Sequence, residues 1–289
     1  MEYLMTYGWS ILIIAVILGA LAYLGVFNPI YFAPKANPGS CQAFRPNGAG
    51  TSYDVNLLGV CNGEMFQYTG QFSSTKNAYV ETNLENVQIS WTLYAWFKAG
   101  FLSNGWVGPN CGLPGSLIVD SDYPGQGGTG MGVNSLYIGY IYNGGSGTIP
   151  YNFQTNRWYQ ISVVFDRQSS TITGYVNGVK AAPSIPVTFA TATNIKPFYI
   201  GGIPPGAGTC AYALDGYISN VQIYNSSLGP NTISAMYAEG IGGAPIDLQN
   251  LVGWWPLNGN ANDYSGNGND GTPVNVLFTT NWYNGYSQP

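Results

Sequence analysis

The sequence predicts an all-β head, an antiparallel sandwich or jelly roll, behind a long hydrophobic N-terminal α-helix. Three observations predict it. Residues 1–27 carry one charged side chain, Glu2, and from Ile11 to Phe27 read ILIIAVILGALAYLGVF with no polar side chain beyond one Tyr. Beyond residue 40, short apolar–polar alternations recur between Gly- and Asn-rich turns, the signature of half-buried strands. A single short segment near residue 230 breaks that pattern with helical spacing.

As one helix, residues 1–27 would be roughly 40 Å long at about 1.5 Å per residue. That exceeds the ~30 Å hydrocarbon core of a bilayer. The segment is apolar on every face, so lipid or other copies of itself must surround it. A cleavable secretory signal would begin with a basic region and carry an apolar core of about 7–15 residues; here the first basic residue is Lys35, after the apolar run. A plain membrane anchor fits the length but usually shows Lys or Arg at its cytoplasmic flank. The missing basic flank is expected of a chain numbered from just after a removed basic leader.

MEYLMTYGWSILIIAVILGALAYLGVF resembles the N-terminal helix of archaeal type IV pilins. The resemblance implies a helix held in the membrane before assembly and packed in a filament core afterwards. Glu2, Trp9, Ile11, Ile14, Ile17, Leu18, Leu21 and Leu24 are then the polymerisation contacts. Glu2 has two readings. It neutralises a neighbouring subunit's terminal amine, although it lies nearer the chain start than the family's acid, or it complements the helix dipole, worth ~0.3–1 kcal/mol. Gly19 and Gly25 are not spaced as a small-xxx-small pair.

Next comes Asn28–Ser40, a linker whose three prolines end any helix. The head is expected over residues 41–289. Charged residues are only 7% of the chain, and the formal charge is −5 with eight basic residues scattered singly, which argues against nucleic-acid binding. Aromatics at 15% supply a core and argue against disorder. Such neutral, Tyr-, Asn- and Gly-rich surfaces suit an exported surface protein. Cys41, Cys61, Cys111 and Cys210 include no CxxC pair and the chain has no His, so two disulfides are expected rather than zinc. Three connectivities are open; Cys41–Cys61 with Cys111–Cys210 is favoured.

Within the head, Ser90–Lys98 sets Trp91, Leu93, Ala95 and Phe97 on one face and Thr92, Tyr94, Trp96 and Lys98 on the other. Trp158–Phe165 aligns Tyr159, Ile161, Val163 and Phe165. Thr171–Val176 leads into Asn177-Gly178, a strong hairpin-turn signal. Asp215–Tyr224 is a further strand. Gly229-Pro230 opens the short helix and Gly240 closes it, with Ile233, Met236 and Tyr237 as its apolar face. A Trp-rich strand, Leu251–Leu257, follows.

ISWTLYAWFK, RWYQISVVFDRQSSTITGYVNG and LDGYISNVQIYNSSLGPNTISAMYAEG look like successive strands of the concanavalin A-like, laminin-G-like jelly roll. The resemblance covers about residues 64–240 and implies two curved antiparallel sheets, frequent glycan binding and frequent structural calcium. LVGWWPLNGNANDYSGNGNDGTPVNVLF, residues 251–278, is similar to the segment that normally begins such domains, yet here it comes last. Circular permutation with the strand returning to its own head is favoured; a truncated second domain and a strand donated to a neighbour are the alternatives. By the same resemblance Asp215, Asp263 and Asp270 could bind calcium, against the plainer reading of a tight Asn/Gly turn.

Catalysis is not expected. The chain has no His, which removes Ser-His-Asp and Cys-His chemistry. Its five Glu form no paired strand motif of the kind retaining or inverting glycosidases need. Asp120 and Asp122 are a close acidic pair in Gly/Pro-rich surroundings, read as a solvated loop. Asn225-Ser226-Ser227 is the only N-glycosylation acceptor. Trp254, Trp255 and the many Tyr could stack on sugars or form core. The sequence therefore points to a subunit of an extracellular, archaeal pilus-like filament with a lectin-like, adhesive head. Its partners would be itself, the membrane before assembly and surface glycans, with no required cofactor. The alternatives are a membrane-anchored glycan-binding lectin and, third, an anchored glycosidase.

Overall fold

The computed structural model describes residues 13–16, 18, 66–85, 90–102, 115–120, 128–143, 145–190, 196–205, 213–280, 282, 284, 286, 287 and 289. The linker at 28–40, all four cysteines, and Glu2, Trp9, Ile11, Ile17, Leu21 and Leu24 lie outside these residues. Of the apolar N-terminal segment, residues 13–16 and 18 are described; they are helical, and Ile13, Ile14, Val16 and Leu18 are exposed. Among the described residues no helix is long and apolar enough to cross a membrane.

Among the described residues the head has sixteen strands. The first eight are β1 (Thr69–Phe72), β2 (Tyr79–Glu85), β3 (Trp91–Ala99), β4 (Ser116–Val119), β5 (Gly130–Val133), β6 (Tyr137–Tyr142), β7 (Gly145–Pro150) and β8 (Trp158–Asp166). Then come β9 (Thr171–Val176), β10 (Val179–Lys180), β11 (Ile185–Pro186), β12 (Pro197–Ile200) and β13 (Gly216–Tyr224). Helix α1 (Pro230–Ala238) precedes β14 (Leu251–Trp255), β15 (Gly271–Val274) and β16 (Leu277–Thr279). All ladders are antiparallel. One sheet has nine strands, running β10-β9-β8-β3-β13-β1-β16, with β11 also on β9 and β14 also on β13. The other has seven, in the order β15-β2-β12-β4-β5-β6-β7.

Facing residues of the two sheets form the main core. Leu93, Ala95 and Phe97 from β3 and Ile161, Val163 and Phe165 from β8 meet Val80, Ile118, Met131, Ile138, Phe198 and Ile200 from the other sheet. These are the alternations read from the sequence. Their alternate residues are buried too. Tyr94, Trp96 and Trp158 lie in a second core on the outer side of the nine-stranded sheet, against Ile233 and Met236 of α1, Leu251, Trp254 and Trp282. Tyr237 stacks on Trp96 at 5.6 Å. Polar groups in this layer are paired internally: Trp96 Nε1 donates to Tyr94 Oη at 2.8 Å, and Trp254 Nε1 and Gln222 Nε2 both donate to Asn220 Oδ1. Buried polar side chains must find such partners.

The turn chemistry matches local geometry. Asn177 (φ 51°) and Gly178 (φ 74°) are both left-handed, joining Val176 to its partner Val179 as a two-residue hairpin loop requires. Pro230 stands at the first position of α1, and Gly240, with φ 79°, follows its end.

The last strands return to the head's own sheets. β14 pairs with β13, β15 with β2, and β16 with β1. The segment that the sequence singled out as displaced thus contributes to both layers of the sandwich.

Candidate functional site

The outer face of the seven-stranded sheet presents a compact polar–aromatic group. Strand β2 alternates with period two: Val80, Thr82 and Leu84 are buried, while Glu81, Asn83 and Glu85 are exposed. The ladder sets Glu81 beside both Thr272 of β15 and Tyr199 of β12. Tyr199 and Tyr79 meet edge to face, ring centroids 6.0 Å apart at 75°. The Tyr199 hydroxyl reaches Glu81 Oε1 at 3.5 Å. Burial first, and then the Glu81 charge, push the Tyr199 hydroxyl above its ordinary value, so it stays a donor through the neutral range. Beyond Tyr199, the row continues over Val119, Gly130 and Ile141 to Ser146 of β7. The result is an aromatic step flanked by carboxylates and an amide, suited to holding a polar, non-anionic ligand.

The sequence did not single out these residues, although the strict alternation of YVETNLE marks a half-buried strand. What the sequence could not show is that Tyr199 would lie beside Glu81.

The residues that the sequence did single out are placed differently. Trp254 and Trp255 are buried core, not sugar platforms. Asp263 sits in a tight turn: its Oδ1 accepts from the N–H groups of Trp254 and Ser265, and its Oδ2 from Ser265 Oγ and the Asn269 N–H. Asp270 Oδ1 accepts from the Asp263 N–H at 2.9 Å. Asp215 stands apart, at the start of β13, taken by Ser74 N–H at 2.8 Å and Ser74 Oγ at 2.5 Å. Asp263 lies instead against Trp254, whose partner Gln222 is near the other end of β13. A calcium ion needs six to eight oxygen ligands, whereas the Asp263 oxygens face N–H and O–H donors. The three aspartates do not fit a common calcium site, and no group of three His, Cys, Asp or Glu is close enough for a metal among the described residues.

Asp120 is buried and accepts a hydrogen bond from the Thr129 N–H; Asp122 lies outside the described residues. Asn225 is exposed just after β13, and so is Ser227 of its acceptor triplet. The backbone between them is pinned, because Thr92 Oγ1 donates to the Ser226 carbonyl at 2.7 Å.

A family model described as the concanavalin A-like lectin/glucanases superfamily matches residues 73–234. No curated protein sequence matches the chain. Among solved structures, it is similar to a candidate carbohydrate-binding protein from Bacteroides ovatus, with TM-score 0.56 and 18% identity over 74% of this chain. It spans only 60% of that protein's length. It is also similar to the heptameric SAP-like pentraxin of Limulus polyphemus, with TM-score 0.50 and 15% identity over 73% of this chain and 92% of the pentraxin. At such identities the likeness is one of fold. The family match covers more than half of the chain and falls on the strands that carry both sheets, and the chain belongs to the concanavalin A-like lectin/glucanases superfamily.

Proposed function

We propose that the head binds neutral, hydroxyl-rich saccharides on the outer face of its seven-stranded sheet. One observation carries the reading: the Tyr79–Tyr199 ring pair stands beside exposed Glu81 and Asn83. Aromatic faces take the apolar side of a sugar ring, while a few fixed polar groups orient its hydroxyls. Glu81 and Glu85 on the same strand disfavour anionic sugars by like-charge repulsion. Membership of a lectin and glucanase superfamily supports the reading, and so does the carbohydrate-binding name of the Bacteroides protein of the same fold. A binding role is preferred to an enzymatic one because the chain has no His and its five Glu form no paired strand motif. The test is titration of the purified protein with a panel of neutral and sialylated oligosaccharides, alongside Tyr199→Ala. Binding of a neutral sugar that disappears in the variant while circular dichroism is unchanged is expected; equal binding by the variant overturns the site.

A second reading concerns how the head is displayed. Ile13, Ile14, Val16 and Leu18 are helical and 49–63% exposed, so this helix requires a covering of lipid or of other helices. We infer that the apolar segment holds the head at the cell surface and packs with its copies in a pilus-like filament, with Glu2, Trp9, Ile11, Ile17, Leu21 and Leu24 sharing that contact. Electron microscopy of material sheared from cells tests it. Thin filaments containing this chain are expected, and membrane-bound monomer alone overturns polymerisation in favour of simple anchoring.

A further inference from the structure

The chain enters the head through Phe66–Phe72, and the C-terminal segment holds this stretch along its length. The Tyr68 N–H donates to Asn258 Oδ1 at 2.9 Å, and the Trp282 indole donates to the Gln67 carbonyl at 3.4 Å. Between these contacts β1 pairs with β16 at Thr69–Thr279, Gly70–Phe278 and Gln71–Leu277. On its other side β1 pairs with β13, from Gly70–Ile218 to Phe72–Gly216. Phe66 and Phe72 are both buried. Without β16, the strand nearest the stem would be the open edge of its sheet. With it, β1 is an interior strand anchored on both flanks.

The directions of these ladders determine how they bear a load. Thr69 lies opposite Thr279, so the stem enters and the tail leaves at the same end of the β1–β16 pair. Drawing those two ends apart opens that ladder one pair at a time. Phe72 lies opposite Gly216, which in turn lies opposite Ala99 of β3, and the exposed Phe101 follows at that far end. A pull on the stem resisted from there stresses both flanking ladders along their length, and their hydrogen bonds must yield together. We propose that the C-terminal segment is a mechanical latch: it clamps the stem-proximal strand so that the head withstands tension on its stem, yet releases when peeled from its own C-terminus. The proposal rests on the reading that the head is held through its N-terminal segment.

Single-molecule force spectroscopy on the full chain in detergent tests it. One tether is attached at the N-terminus, and the other either at an azide-bearing side chain installed at Phe101 or at the C-terminus. The rupture force is expected to be severalfold higher with the Phe101 handle. Leu277→Pro with Thr279→Pro, which breaks β16 while leaving its half-buried Phe278 in place, is expected to lower the Phe101 force towards the C-terminal value. Equal forces in the two geometries overturn the latch, and so does an unchanged force in a folded proline variant. Should that variant fail to fold, the comparison of geometries on the unaltered chain decides alone. The force ratio is read on isolated protein, so it holds or fails independently of whether cells retain the chain by its stem.

Discussion

The ammonium of Lys98 donates to the main-chain carbonyl of Trp282 at 2.9 Å, inside the outer aromatic layer of the nine-stranded sheet. It donates also to the Asn284 carbonyl at 2.8 Å and lies over the rings of Tyr217 and Trp158, 4.6 and 5.6 Å from their centroids. Two carbonyls and two ring faces thus stand where a carboxylate would ordinarily be found for a buried lysine.

Replacing this side chain should loosen the tail. In Lys98→Met the Trp282 carbonyl keeps the Trp158 indole as donor at 2.9 Å, while Asn284 loses its ammonium partner. A loss of about 1–3 kcal/mol is expected, the range for stripping a charged donor from a partly buried acceptor. Urea unfolding measures it, and acrylamide quenching of the buried Trp282 should rise in parallel. Unchanged stability and quenching would show that the aromatic contacts alone hold the tail.

Alkaline stability should depend on Tyr286. Burial pushes its hydroxyl from 10.0 up to about 12, partly offset by the Ile241 N–H that donates to it. The raised value means that its contribution is full below pH 10 and is lost as pH climbs through about 12. Lys98 has the opposite sign: burial lowers it, so the cost of its charge fades as pH rises towards 10.5. Tyr286→Phe should therefore flatten the decline in melting temperature between pH 10 and 12, while costing about 1–3 kcal/mol at neutral pH because the Ile241 N–H loses its acceptor. A decline as steep as in the parent protein would place the alkaline sensitivity elsewhere.

At the proposed saccharide face, Glu81→Gln keeps the shape but removes the charge that accepts from Tyr199 and that the proposal assigns to a ligand hydroxyl. A charge-assisted hydrogen bond is worth about 1.5–3 kcal/mol, so affinity for a neutral saccharide should fall about tenfold or more. Calorimetric titration reads the change. Tighter binding would mean that the carboxylate repels the ligand.

Chelation should change nothing. Since the Asp263 oxygens are occupied by four donors, dialysis against EDTA is expected to leave the melting temperature and any sugar affinity as they were. A drop restored by calcium would relocate the ion to another loop.

Modification can be checked on protein from its native source. The exposed Asn225 should carry added mass in intact-protein spectra that Asn225→Gln abolishes. An identical mass for both would leave this turn bare.

Much of the sandwich was legible wherever the information was local. The alternation in β3 correctly grouped Leu93, Ala95 and Phe97, and Asn177-Gly178 marked a turn whose two left-handed residues are present. The outer aromatic layer was not legible. Tyr94 and Trp96 look like the polar-side partners of an ordinary strand until α1, Leu251 and Trp282 arrive from far along the chain to cover them. The Tyr79–Tyr199–Glu81 group was not legible for the same reason: β2 is readable by itself, but nothing near Glu81 announces that Tyr199 will be its neighbour. The aspartates left both readings open in the sequence, with the turn the plainer one, because a turn that caps its own amides and a cation site draw on the same Asp-, Asn- and Gly-rich composition.

The pairing of Thr69 with Thr279 also sets a timetable for synthesis. Ribosomes add on the order of 5–20 residues per second, so β1 waits ten seconds or longer for a partner made roughly two hundred residues later. Until then the nascent head is an unfinished sheet with β1 open on one flank, and the sheet closes only once β16 has been made.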